Sequence, residues 1–111
     1  MSDTKSIQIS FDNCSTGEAA QLANQLEQDL NEAGASEITR KKDRPDSQDF
    51  GATLVVLFGT PVAIVLAKAV SNFLHRHSGA SISITADGAV IARNLESKDA
   101  ARIAEAFARK P

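Results

Sequence analysis

Few side chains in this sequence could carry out chemistry, and the two histidines are the first to consider. His75 and His77 are two residues apart, so on a helix their rings would point about 200° from each other and could not bind one metal ion together. At the C-terminal end of a helix, these rings and the guanidinium of Arg76 would instead interact favourably with the negative end of the helix dipole. The spacing therefore predicts a helix-capping role, with a ligand or acid–base role as the alternative.

The single cysteine, Cys14, comes just before a predicted helix, where the positive end of the helix dipole favours a reactive thiolate. A nucleophilic thiolate also needs a base and oxyanion donors, and no histidine or lysine lies nearby in the sequence. We therefore predict a partly buried structural thiol, with a catalytic or redox cysteine as the alternative. One cysteine cannot form an internal disulfide, so the fold does not require an oxidising compartment.

Three aspartates in the middle of the chain, Asp43, Asp46 and Asp49, come closest to a metal-binding loop. Calcium loops carry oxygen ligands at alternate positions and a glycine at a sharp turn, and this segment has neither feature. We therefore predict no metal site and no cofactor. The segment is interpreted as a solvated loop, with Asp49 at the N-terminus of a helix.

One cluster of charge stands out. Arg40, Lys41, Lys42 and Arg44 place four of the twelve basic residues within five positions. The ordinary interpretation is a solvated segment where a strand runs into a loop, and our hypothesis is that it docks an acidic protein partner. Contact with the phosphates of a nucleic acid is the alternative, but the net charge of −2 and the lack of a nearby aromatic residue for base stacking argue against it.

The first half of the chain predicts a strand, a helix and a second strand. Residues 5–11 alternate between apolar and polar side chains, which is typical of a strand with one buried face. A capping box at residues 15–18 and an apolar stripe then predict an amphipathic helix over residues 16–33, ending at Gly34. Residues 35–41 predict a short parallel edge strand, because a strand that follows a β-α unit commonly pairs in parallel.

The middle segment is the hardest to interpret, because residues 51–67 carry no charge. Their number, seventeen, touches the lower limit for a membrane span, so membrane insertion is an alternative. Gly59 is typical of a helix end, Thr60 of an N-cap and Pro61 of the first residue of a helix, so these residues divide the segment in two. We predict a pair of buried helices over residues 50–58 and 61–77, although the β-forming residues at 54–58 leave a buried strand open.

The last third predicts a hairpin and a helix. Alternating residues on both sides of Asp87-Gly88 predict two strands over residues 81–93, joined by a tight turn. Ser97 is predicted to cap a closing helix with an apolar stripe. The whole chain, residues 1–111, is thus predicted to be one α+β domain, a two-layer sandwich in the order β-α-β-(α)α-β-β-α. We expect a four-stranded mixed sheet with the helices packed on one face.

The last sixty residues resemble the effector-associated constant component family. The matching pieces are the Gly-led segment 49–52, the helix 66–76 with its bulky and basic end, residues 82–84 and the Asp87-Gly88 turn. Members are small bacterial domains encoded beside conflict or immunity effectors such as proteases. The resemblance, which covers about half the chain, implies an adaptor or regulatory partner without chemistry of its own. It assigns no site residues.

The sequence provides little for a self-sufficient active site. It has two histidines, one cysteine and no Trp or Tyr, and it lacks glycine-rich phosphate loops, a Cys-x-x-Cys pair and a serine elbow. We therefore predict that the chain is not an enzyme and that it binds a protein partner. Because its first residues lack a signal-peptide pattern, we expect it in the cytoplasm. The sequence leaves open whether it self-associates.

Overall fold

The computed structural model describes residues 4–12, 16–41, 53–77, 79–86 and 88–108, with the backbone alone described at Thr4, Thr16 and Lys41. Within these residues the chain forms five strands and three α-helices. In chain order they are β1 (Thr4–Asp12), α1 (Thr16–Ala33), β2 (Glu37–Lys41), β3 (Thr53–Gly59), α2 (Ala63–Arg76), β4 (Ser81–Ala86), β5 (Ala89–Leu95) and α3 (Ala100–Ala108). Short 3-10 turns, Thr60–Val62 and Ser97–Asp99, lead into α2 and α3.

The strands form one antiparallel sheet in the order β2-β3-β1-β4-β5. The α+β class is therefore confirmed, but the four-stranded mixed sheet is wrong. The prediction of a parallel edge strand at residues 35–41 is half right, because β2 is an edge strand but pairs antiparallel with β3. β1 and β2 do run in the same direction, as a β-α-β unit requires. They do not touch, because β3 lies between them.

This connectivity consists of two interleaved split β-α-β units. In the first unit, β1 and β2 flank β3, and in the second, β3 and β4 flank β1. The arrangement is that of the ferredoxin-like β-α-β-β-α-β motif, extended here by β5 and α3. Such a fold supports many functions, so the function must be argued from the surfaces that it presents.

The strand β3 corrects the preferred interpretation of the middle segment, which placed a helix at residues 50–58. Leu54, Val56 and Phe58 are fully buried on the helix side of the sheet, while Val55 and Leu57 are half-buried on the other side. Since both faces of β3 carry apolar side chains, the alternation that normally identifies a strand is hidden in the sequence. Among the described helices, none is both long and apolar enough to cross a lipid bilayer.

The elements with a strong local pattern lie where the sequence predicts them. Helix α1 covers the predicted residues 16–33, and the hairpin of β4 and β5 turns at Gly88, which adopts a φ of +80°. The second helix begins at Ala63, after a 3-10 turn. The predicted cap at Ser97 is wrong: Glu96 occupies the N-cap position, and its backbone N–H donates to Oδ2 of Asp99 at 2.9 Å. The side chain of Glu96 in turn accepts a hydrogen bond from the backbone N–H of Asp99, so the two residues form a capping box and Ser97 lies inside the turn.

The core is one continuous cluster between the sheet and the helices. Helix α2 lies at its centre, because it packs against both α1 and α3. Two aromatic contacts join the layers: the rings of Phe58 and Phe107 are 5.5 Å apart and those of Phe11 and Phe73 are 6.0 Å apart. Offset or tilted ring pairs at these distances stabilise a fold beyond the area that they bury. The central position of α2 leaves its outer surface facing away from the sheet.

Phe58→Ala is expected to lower the free energy of unfolding by about 3–5 kcal/mol, because Phe58 is fully buried against Phe107. Urea denaturation measures the loss, and Phe58→Leu, which keeps most of the volume, should lose less. Val90→Ala is the control: Val90 is 45% exposed, and its truncation should cost less than about 1 kcal/mol. Equal stability of Phe58→Ala and the unaltered chain would contradict a core built on β3.

Candidate functional site

Arg40 belongs to the predicted docking run, and its side chain is directed towards α1. Its Nε donates a hydrogen bond to Oε1 of Glu27 at 3.0 Å, and its Nη2 donates to the side-chain oxygen of Asn24. Arg40 shares its face of β2 with Ile38, which packs against the core. The guanidinium therefore ties the edge strand β2 to α1, a structural role that uses one of the four cations.

The other members of the run are described in part or not at all. The backbone of Lys41 is in register with Thr53 of β3. The side chain of Lys41, and the whole of Lys42 and Arg44, lie outside the described residues. Docking of a partner on these three cations stays a prediction.

The histidines lie at the C-terminal end of α2, as the sequence predicts. The backbone N–H of His77 caps the helix by donating to the carbonyl oxygen of Phe73 at 3.1 Å, and the two rings are 4.5 Å apart. Between the histidines, Arg76 donates to a carboxylate oxygen of Asp29 on α1. His75 is exposed on the outer surface of α2. These contacts fix the end of α2 against α1 and leave His75 facing outward.

Two further groups from the sequence fall outside the described residues. These are Cys14 and the three aspartates Asp43, Asp46 and Asp49. Within the described ranges, no three His, Cys, Asp or Glu residues are grouped so that they could hold a metal ion.

The face of the sheet opposite the helices carries hydroxyl groups on its central strands. The hydroxyl of Ser83 donates to Oδ2 of Asp12 at 2.7 Å, and the hydroxyls of Ser10 and Thr53 are 3.4 Å apart. A serine nucleophile needs a base such as histidine, and both histidines lie at the C-terminal end of α2, on the other side of the sheet. These hydroxyl groups link neighbouring strands, which is a structural role.

Both edges of the sheet have features that discourage pairing with another strand. The edge strand β2 has five residues, and three of them, Glu37, Arg40 and Lys41, are charged. On the other edge, the register between β5 and β4 shifts twice, and Asn94 adopts a φ of 52°. Charges and bulges are the usual means by which edge strands avoid new partners. The helices therefore offer the better surface for docking.

A groove of about 330 Å³ lies between α2 and α3. On α2 it is lined by Ile64, Lys68, Ser71 and His75, which recur every three or four residues along one side of the helix. On α3 the lining includes Ala104. Small side chains form the floor, while the longer Ile64 and Lys68 stand at its rim.

Ile64 and Val65 are the most exposed large apolar side chains in the described part of the chain, at 60% and 50%. They lie in the first turn of α2, where Ile64 lines the end of the groove. In the sequence they belong to the apolar segment predicted to be buried, and that prediction holds for their neighbours Ala63 and Leu66. The helical period identifies them, because the buried stripe of α2 recurs every three or four residues, at Ala63, Leu66, Ala67 and Val70, and skips both positions.

A second groove, of about 490 Å³, lies between β5 and α3. Its lining combines Ile91 and Ala106 with charges of both signs, Arg102 and Glu105. Arg102 also faces Asp99 one turn earlier, at 3.7 Å. Because none of its described lining residues is a strongly exposed large aliphatic side chain, this groove is the weaker candidate for docking.

Comparison with protein-family models, curated proteins and solved structures finds no match to this chain. The resemblance to the effector-associated constant component family therefore stays a prediction.

The ion pair between Arg40 and Glu27 is expected to stabilise the fold by about 0.3–1 kcal/mol, since both side chains are only 26% and 31% exposed. A double-mutant cycle with Arg40→Gln and Glu27→Gln, followed by urea denaturation, measures this coupling free energy. The coupling should shrink in about 1 M salt. The pair between Arg102 and Asp99 is the control: it is longer, at 3.7 Å, and its arginine is 56% exposed, so its coupling should be smaller. Zero coupling for Arg40 and Glu27 would leave Arg40 available for a partner.

Proposed function

We propose that this chain is a protein-binding domain that acts as an adaptor or regulatory subunit, and that its partner docks at the start of α2. The exposure of the adjacent side chains Ile64 and Val65 supports this site most directly. Full burial of an aliphatic side chain of this size is worth about 1.5–3 kcal/mol. Ile64 lines the groove and Val65 is next to it in the chain. Two such exposed side chains can supply much of the binding energy of an interface, because a few residues usually dominate it.

The non-catalytic part of the proposal rests on the sequence. The single cysteine, Cys14, is far from His75 and His77 in the chain, and no tyrosine is present to act as an acid or base. The resemblance adds an expectation about the partner, namely a bacterial effector, such as a protease, encoded close to this chain.

Lys41, Lys42 and Arg44 are proposed as an additional contact for an acidic region of the same partner. Nucleic-acid binding through this run is the alternative. The contact of Arg40 with Glu27 weakens that alternative, because it occupies one of the four cations that would have to meet phosphates.

Ile64→Glu is expected to weaken partner binding at least tenfold, because it places a charge where an apolar contact is proposed. The chain is co-expressed with the product of each neighbouring gene, and the affinity of any complex is measured by interferometry. Val90→Glu is the matched control, since Val90 is an exposed aliphatic residue on β5, away from the groove. It should bind as the unaltered chain does.

Two results would reject this docking site: equal affinity of Ile64→Glu and the unaltered chain, or equal losses from Ile64→Glu and Val90→Glu. The charge reversals Lys42→Glu and Arg44→Glu test the additional contact separately. A mobility shift with nucleic acid at low salt that these reversals remove would favour the alternative function.

A further inference from the structure

The groove between α2 and α3 is long enough to hold one short helix. From Ile64 to His75 its α2 side runs for roughly three helical turns, about 16 Å. Its floor contains Ala67, Ser71 and Ala104, and small side chains let a third helix approach closely. Laying an amphipathic helix into an apolar groove is a common mode of peptide recognition, and it uses anchors such as Ile64.

The charged side chain among the described lining residues of the groove is basic. Lys68 lines it, and no aspartate or glutamate is found among those residues. The chain as a whole has a net charge of −2, so this local positive charge runs against the overall balance. Complementary charge at an interface speeds association and excludes wrong partners.

The same charge disfavours a second copy of this chain as the occupant. In a twofold dimer each surface meets its own copy, so the Lys68 side chains of both copies would lie in one interface. Such a contact would bring like charges together without an acidic group from the described lining to offset them.

We infer that the segment seated in this groove is an acidic amphipathic helix of the partner protein. Its apolar stripe would cover Ile64 and the small floor, and its carboxylates would face Lys68. This inference rests on the proposed docking function and names the chemistry of the segment that docks.

Three synthetic peptides of about 18 residues, stapled to stay helical, provide the probe. They share one stripe of leucine and alanine and carry glutamate, glutamine or lysine at the flanking positions. Fluorescence anisotropy with the full chain should show that the glutamate peptide binds at least about tenfold tighter than the lysine peptide in about 0.05 M salt. The difference should shrink in about 1 M salt, because exposed charges are screened.

Lys68→Glu should reverse the order of the glutamate and lysine peptides. Arg93→Glu, which changes an exposed cation on β5, should leave the order as it is. Equal binding of the two peptides, no binding of the glutamate peptide below about 1 mM, or an unchanged order in Lys68→Glu would each overturn the inference. The docking proposal is tested separately, by the affinity of the natural partner for Ile64→Glu. Equal affinity for this variant and the unaltered chain would reject it.

Discussion

The fold depends on one strand, β3, which lies between β1 and β2 and joins them into one sheet. β1 and β2 run in the same direction on either side of it, and β3 pairs antiparallel with both. Its buried side chains Leu54, Val56 and Phe58 also form the centre of the core beneath the helices. Backbone hydrogen bonds in the sheet and apolar burial against the helices therefore act on the same seven residues. Loss of this strand would leave β2 detached and the core open.

The position of β3 also determines what remains for function. The connection from β3 leads through a short turn into α2, so the apolar segment continues from the sheet directly into the central helix. Most of that helix's apolar side chains face the core, but Ile64 and Val65 do not. Single exposed aliphatic residues are common on protein surfaces, whereas clustered ones are typical of a contact surface. The same segment that builds the core therefore supplies the proposed docking site.

Local patterns predicted the elements whose signals are complete within a few residues. The helix at residues 16–33 and the hairpin turn at Gly88 are examples, because helical period and turn chemistry act over short distances. The sheet order could not be predicted, since it depends on pairing between distant segments, and β3 hid its alternation behind apolar residues on both faces. Of the candidate site residues, Arg40 was identified as a docking cation, but its contact with Glu27 depends on how α1 lies over β2. The apolar composition of residues 51–67 predicts that Ile64 is buried, whereas the helical period of α2 places it outside the buried stripe.

The most direct test of this account is the pattern of nuclear Overhauser effects across residues 53–59 in the labelled chain. The account predicts cross-strand contacts between the backbone protons of Val56 and those of both Ile7 and Ile38, its partners in register. Successive amide–amide contacts along residues 53–59, without any contact to β1 or β2, would show a helix there. That result would contradict the sheet order, the core and the docking site that follows from them.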